Sequence, residues 1–302
     1  MRKKLIITGL SGVVGRNLVH HFDQNSWEIY DFFHTKPSST IPANQSISVD
    51  ICDQSAVEKA VKSIKPDVIL HMAAATHVDA CEQDRKNGEK GSVWKLNVEA
   101  TRYLVSQAQN SDARFIYLST ESVFGSNNAT CPKETALRNA KSWYGITKTK
   151  GEEIVESIGT NATIIRSVIT YSTDITISTM YAKMYRSFQT GKPWFAVDDQ
   201  LIAPTELIDL QKGISTVIHG SIPGIVHVVN PKTLTPFAFA QKIAQFNSFN
   251  PQLVSPQNMN DYFGTQAADY RVPYACLNAV QSTRLLGFIP RTVDEVLQRT
   301  DS

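Results

Sequence analysis

A chain of 302 residues carries 30 Lys and Arg against 28 Asp and Glu, for a net charge of +2, with 42% hydrophobic and 19% charged residues. That length buries a sizeable core as one large α/β unit or two associated lobes, and the near-neutral charge gives no case for a nucleic-acid or membrane-surface partner. No stretch approaches the ~20 apolar residues of a membrane span, and the four scattered cysteines, Cys52, Cys81, Cys131 and Cys276, read as reduced cytoplasmic thiols with no metal-ligand spacing.

Met1-Arg2-Lys3-Lys4 before Leu5-Ile6-Ile7 imitates a secretion signal, but Thr8-Gly9 breaks the apolar run and no small-residue cleavage site follows. Residues 4–7 read as a first strand, 13–22 as a helix, and 28–33 and 47–49 as further strands. Asp53 is placed to cap a helix whose buried stripe is Ala56, Val57, Ala60, Val61 and Ile64, stopped by Pro66. A strand at 67–71, a helix over 93–108, a strand at 114–119, a helix carrying Tyr144 and a strand at 162–166 follow. Strands alternating with helices of this length predict βαβ units. The fold class is therefore α/β, a Rossmann-type doubly wound parallel sheet. Beyond about residue 170 helices near 179–189, 206–219, 236–246 and 292–299 alternate with short strands. The expected division is a dinucleotide-binding domain over 1–170 and a smaller substrate-binding lobe over 171–302, placed over the carboxyl ends of the strands. Segments such as 224–229 return to the main sheet.

Thr8-Gly9-Leu10-Ser11-Gly12-Val13-Val14-Gly15 lies between the first strand and first helix. Glycines there let the backbone turn tightly against a pyrophosphate, with helix N–H groups and the macrodipole facing the anion. Gly9, Ser11, Gly12, Val13 and Gly15 are the candidate phosphate cradle; a plain tight turn is the alternative. At the tip of the second strand Asp31 falls early for reading a ribose 2′-OH, whereas His34, Lys36 and Arg16 suit a 2′-phosphate. The expected cofactor is NADP, with NAD possible. Asp50 and Ile51 are candidates for adenine contact, with a helix-capping loop as the competing reading. Ala73, Ala74 and Ala75 let a cofactor lie against the backbone, although tight packing alone explains small residues equally well. Thr120 ends the fifth strand, where its hydroxyl can hydrogen-bond a carbonyl. Tyr144 and Lys148 project from one helix face, and the ammonium is expected to draw the phenol's pKa down toward working pH. Lys150 belongs to a solvated face.

Taken in order, TGxxGxxG, the Ala-rich strand end, the Thr120 segment and YxxxK resemble an extended short-chain dehydrogenase/reductase. Within that superfamily the segments Ala73–Asp79, Leu96-Asn97-Val98, Ser119–Phe124, Tyr144–Glu152, Asp199-Gln200, Pro204-Thr205 and Arg271-Val272-Pro273 resemble dTDP-4-dehydrorhamnose reductases and their relatives. The resemblance implies Tyr144 as proton donor, Lys148 as its tuner and a nicotinamide-ribose ligand, Thr120 as holder of the reacting oxygen, and Asn97 as support for the lysine and part of the cofactor site. It places Thr76, Val78, Glu121, Ser122, Arg271 and Pro204-Thr205 on the sugar-nucleotide side. Glu121-Ser122 stands where the family has Asp-Tyr, and His71 where Asn is usual, which leaves the particular sugar open. The implied activity is NAD(P)H-dependent reduction of a nucleotide-linked 4-keto-6-deoxy sugar by a cytoplasmic enzyme in polysaccharide biosynthesis. Its expected partners are that nucleotide sugar and a second copy of the chain in a homodimer. The alternatives are a sugar-nucleotide epimerase or dehydratase, and a cofactor-binding regulatory subunit resembling the β-subunit of methionine adenosyltransferase.

Overall fold

The computed structural model describes residues 1–125 and 131–298. In chain order its strands are β1 (Lys3–Thr8), β2 (Trp27–Phe33), β3 (Ser46–Ser48), β4 (Val68–His71), β5 (Arg114–Thr120), β6 (Ala162–Ser167), β7 (Thr170–Tyr171), β8 (Trp194–Val197), β9 (Leu201–Ile202), β10 (Thr205–Glu206), β11 (Gly224–His227), β12 (Val254–Gln257) and β13 (Tyr274–Ala275). Seven of them make one sheet in the order β11-β6-β5-β4-β1-β2-β3. The pairs β1–β2, β1–β4, β2–β3 and β4–β5 are parallel. Because successive strands are added first on one side of β1 and then on the other, the order reverses between β1 and β4, the switch point at which open α/β sheets bind ligands.

The principal helices are α1 (Gln54–Ile64), α2 (Val78–Asp84), α3 (Ser92–Trp94), α4 (Ala100–Ser111), α5 (Trp143–Glu156), α6 (Met180–Gln189), α7 (Leu207–Gly220) and α8 (Pro236–Phe246). Asp53 caps α1, accepting from the Ser55 and Ala56 N–H groups, and the helix ends at Lys65 in the left-handed region. Val57, Val61 and Ile64 bury the stripe that the spacing predicts, against Ile6, Phe32 and Ile69 of the sheet and Leu104 and Ala108 of α4. The helix expected over 93–108 runs from Ser92 to Ser111, interrupted by a π-turn at Lys95–Glu99. No helix among the described residues is long and apolar enough to cross a membrane. The final helix, Val293–Gln298, reaches the end of the described residues, and Arg299 lies outside them.

Two expectations fail. Residues 13–22 do not form an α-helix: one turn closes from Arg16 N–H to Gly12 O, and a four-residue 3₁₀ turn, Leu18–His21, follows. Asn17 sits between them at φ 65°, a left-handed conformation that an α-helix cannot propagate through. Two glycines and the β-branched pair Val13-Val14 offer little helix propensity to resist it. The cysteines are not all reduced, because Cys131 and Cys276 are joined by a disulfide, with Cα atoms 5.1 Å apart and 145 residues of sequence between them. The fold lays residue 131 beside residue 276: Asn278 N–H donates to Pro132 O at 2.8 Å, and Ser282 Oγ donates to Glu134. Cys52 and Cys81 remain free.

The chain divides into two compact units, Met1–Val123 with Ser142–Arg166 and Gln211–Val226, and Phe124–Lys141 with Ser167–Leu210 and His227–Ser302. The first contains the body of the sheet and its core. The second has its own core, in which Tyr181, Met184 and Phe188 of α6 pack with Phe239 and Ile243 of α8, Val254 and Val296. Three short parallel ladders, β7–β10, β8–β12 and β9–β13, complete it.

Within the first unit, α5 lies close on β5 because residue 151 is glycine. A Cβ there would fall 2.2 Å from the Tyr117 hydroxyl and 2.8 Å from its Cζ. Gly151→Ala is therefore expected to destabilise the protein by about 1–3 kcal/mol through overpacking, measured by denaturant unfolding. Tyr117→Phe, which removes the nearest atom, should restore part of the loss in the double variant.

Candidate active site

Thr8 and His71 are register partners at the carboxyl ends of β1 and β4, on the two sides of the switch point. Thr8 Oγ1 accepts from the N–H groups of Met72 and Ala73 at 3.2 and 3.1 Å, so its own proton goes to His71 Nδ1, 2.7 Å away. His71 is then a neutral imidazole protonated at Nε2, which donates to Thr101 Oγ1 at 3.1 Å, and Thr101 in turn donates to Asn97 O at 2.8 Å. Burial and the neighbouring Lys148 push the His71 pKa down to about 3, which fixes that neutral state.

Gly9 (φ 77°) abuts this strand end: a Cβ there would lie 2.8 Å from Ala73 N, a clash with backbone that only glycine avoids. Gly15 is equally constrained, its Cβ position falling 2.3 Å from Leu10 O. Gln211, at the middle of α7, donates to Val14 O and Arg16 O at 2.9 and 2.6 Å and fixes the far side of the turn. Ser11, Gly12, Val13 and Arg16 are exposed, as are His34 and Lys36 beyond β2. The small side chains of Ala73, Ala74 and Ala75 leave the strand end open beside this turn. A tight, exposed turn against a small-residue strand end, with the exposed cations Arg16 and Lys36 and the exposed His34 imidazole, fits the pyrophosphate and 2′-phosphate of a dinucleotide. The anion would be met by turn N–H groups and side chains, since no α-helix starts here to supply a macrodipole. Asp31 is buried inside β2, accepts from Ser38 N–H and is pushed up by burial. Asp50 is exposed and accepts from Cys52 N–H, the turn-capping role, while Ile51 is buried in the core.

The expected catalytic side chains meet where α5 crosses the end of β5. Ser142 caps α5 by accepting from Gly145 N–H at 3.1 Å. Lys148 is 2% exposed; its Nζ donates to Leu118 O at 2.7 Å and lies 3.7 Å from the centre of the Tyr117 ring. Burial lowers its pKa to about 7, against a partial opposing pull from Glu152. Burial likewise raises the Tyr144 phenol above its ordinary value, the nearby Glu121 carboxylate raises it further, and a hydrogen bond with Thr120 partly offsets both. The expectation that Lys148 draws the phenol down does not hold: desolvation and the like-signed Glu121 carboxylate raise it, and the ammonium is engaged by a carbonyl and a ring face.

Thr120 Oγ1 donates to Glu121 Oε2 at 2.7 Å and accepts from Ser122 N–H at 3.2 Å, while Ser122 Oγ donates to Glu121 Oε1 at 3.2 Å. The Glu121 carboxylate thus gathers both flanking hydroxyls, and burial raises its pKa. Asn97, carried on the π-turn, accepts from Ala75 N–H at 2.8 Å and donates to Ala75 O and Thr147 Oγ1 at 3.1 and 3.0 Å. It braces the alanine strand end against α5 and makes no direct hydrogen bond to Lys148. Thr76 is exposed, and Val78 opens α2, which is capped by His77. Arg271, in the second unit, donates to Ala267 O at 2.9 Å and stacks over Phe263 with 3.9 Å to the ring centre.

Several side chains that shape this site were not singled out from the sequence: Thr8, Thr101, Thr147, Ser119, Glu152, Arg166 and Gln211. Two left a signal. Glu152 continues the stripe of Tyr144 and Lys148 at the next four-residue step, and Arg166 is a charge at the end of an apolar strand.

The RmlD substrate binding domain family matches residues 3–300. The dTDP-4-dehydrorhamnose reductase of Mycolicibacterium smegmatis is 28% identical over 258 residues, 85% of this chain and 73% of the relative. The methionine adenosyltransferase 2 subunit beta of Bos taurus is 26% identical over 262 residues, 82% and 72% of the two chains. Among solved structures, dTDP-4-dehydrorhamnose reductase from Bacillus anthracis in complex with NADP superimposes with a TM-score of 0.84 at 27% identity, covering 99% of this chain and 98% of that one. With a doubly wound sheet, a glycine turn at its switch point and a family match over nearly its whole length, the chain belongs to the RmlD substrate binding domain family.

Proposed function

We propose that this protein is an NADPH-dependent reductase of a nucleotide-linked 4-keto-6-deoxy sugar. The observation that carries the proposal is the meeting of Thr120, Tyr144 and Lys148 at the carboxyl end of β5, supported by the likeness to reductases and to a solved NADP complex. Gly9, Ser11, Gly12, Val13 and Gly15 would face the pyrophosphate. Arg16, His34 and Lys36 would meet the 2′-phosphate, Asp50 and Ile51 the adenine, and Ala73–Ala75 would receive the nicotinamide half. The bound cofactor supplies a hydride to the keto carbon.

Tyr144 then gives its phenolic proton to the carbonyl oxygen as the C–H bond forms, and recovers a proton from solvent, so that ketone, hydride and proton balance to the alcohol. Its raised pKa keeps the phenol protonated at neutral pH, the state a donor requires. Lys148 as an ammonium stabilises the phenolate left behind. Thr120 turns its hydroxyl from Glu121 to the substrate oxygen, and Thr76, Val78, Glu121 and Ser122 line the sugar side. The second unit is the substrate lobe in this reading, which extends to a cytoplasmic enzyme assembled as a homodimer.

The engagement of the Thr120 proton by Glu121, with the likeness to a methionine adenosyltransferase β-subunit, favours a second reading, a cofactor-binding regulatory subunit. Consumption of NADPH on mixing with a panel of dTDP-4-keto sugars separates the two: turnover supports the reductase, and its absence alongside a stable complex with a partner enzyme supports the subunit.

Three outcomes follow from the reductase mechanism. Tyr144→Phe should lower kcat by about 100-fold or more while NADPH affinity, read by nucleotide fluorescence, is kept. Arg16→Ala and Lys36→Ala should each raise the Kd for NADPH by about tenfold, the loss of one charge-assisted contact, with little change for NADH. Activity and stability should respond to pH in opposite senses. Folding lowers the Lys148 pKa from 10.5 to about 7, so the unfolded chain binds more protons between those values and this group's contribution makes the fold more stable as pH rises through them. Activity needs the ammonium and should fall as pH rises through about 7, seen by comparing kcat–pH profiles with melting temperatures of the wild type and of Lys148→Met.

A further inference from the structure

Tyr144, Lys148 and Glu152 follow one another at four-residue intervals along a single stripe of α5, and they engage three consecutive residues of β5. Tyr144 pairs with the Thr120 hydroxyl, Lys148 Nζ donates to Leu118 O, and Ser119 Oγ donates to Glu152 Oε1 at 2.6 Å. Arg166 on β6 then forks onto the same carboxylate, Nε to Oε1 at 2.8 Å and Nη2 to Oε2 at 2.6 Å, with side-chain exposures of 1% for Arg166 and 0% for Glu152. A bidentate pair this deep is geometrically specific, yet apolar side chains of similar volume commonly stabilise a core as well or better. Fold stability therefore gives no particular reason for a carboxylate at this point of the stripe.

We propose that Glu152, oriented by Arg166 and Ser119, is a positioning residue that keeps Lys148 charged and seated between the Tyr117 ring and the Leu118 carbonyl. This deepens the reductase reading and rests on it for its catalytic meaning.

Among the other groups around Lys148 and Tyr144, the Glu121 carboxylate acts on the phenol, and the rest carry little negative charge near neutrality. On α5 itself, Tyr144 stays protonated. From β5, Tyr117 is raised by burial, and just beyond it the Glu121 carboxyl is also raised. From β4, His71 is neutral, with a pKa of about 3, and from α2 the Cys81 thiol is pushed up to about 11. From β6, Arg166 is positive and would oppose the ammonium were its charge not met by Glu152. Burial lowers the Lys148 pKa, and Glu152 is the carboxylate that resists the fall.

The test is a pH titration of [ε-13C]lysine-labelled protein by NMR, with the Lys148 signal assigned by its loss in Lys148→Met. Glu152→Gln should lower the Lys148 pKa by about 1 unit or more, the scale of one opposite charge at short range. The double variant Glu152→Gln with Arg166→Gln, which leaves no stranded guanidinium, should fall between that variant and the wild type. The alkaline limb of kcat/KM should move with it. An unchanged Lys148 titration in either folded variant overturns the proposal, and so does failure of both variants to fold, which would make the pair structural only. The titration needs no turnover. A wild type inactive on every keto sugar but showing these shifts would sink the reductase reading and leave the assignment of Glu152 standing.

Discussion

A single missing methyl group sets the geometry on which the candidate site depends. With any side chain at position 151, α5 would stand off from Tyr117, and the contacts farther along the same stripe would open together. Lys148 reaches the Leu118 carbonyl, and Glu152 the Ser119 hydroxyl, only because helix and strand approach at glycine distance. Close packing here is an electrostatic instrument. It removes water from an ammonium, a phenol and a carboxylate at once, and each then interacts more strongly with the others than it could at a surface.

The second constraint is at the switch point. One threonine hydroxyl, Thr8, takes the N–H groups of Met72 and Ala73 and passes its own proton to His71, and the relay continues through Thr101 to the Asn97 carbonyl. The Asn97 side chain holds Ala75 and Thr147, and Thr147 donates to the Tyr144 carbonyl at 2.9 Å. The strand end beneath the proposed nicotinamide site is thus tied by fully directed hydrogen bonds to the helix that carries the proposed proton donor. A neutral histidine fits this relay because it must accept at one nitrogen and donate at the other.

What could be read from the sequence was whatever depends on near neighbours. Asp53 and the stripe Val57, Val61 and Ile64 announce α1 because capping and burial act within a few residues. The Tyr144–Lys148 spacing places both on one face because helical periodicity is local. Long-range features were not accessible in this way. Cys131 and Cys276 carry no mark of pairing 145 residues apart. Asn17 gives little hint that it will adopt a left-handed conformation and end the first helical turn. The direction of the Tyr144 shift depends on Glu121 and on burial, both products of the tertiary fold. Asn97 sits in the expected segment, yet its partners are decided by where the π-turn aims it.

A lysine that is half-deprotonated near neutral pH has a consequence for binding. Any ligand that engages Lys148 as an ammonium draws it fully into the charged form, so association near a pH of about 7 takes up a fraction of a proton from the medium. The heat of binding would then contain the ionisation heat of the buffer, and affinity would weaken with rising pH even for a ligand that does not titrate. The empty site would act as a weak base that its own ligand completes.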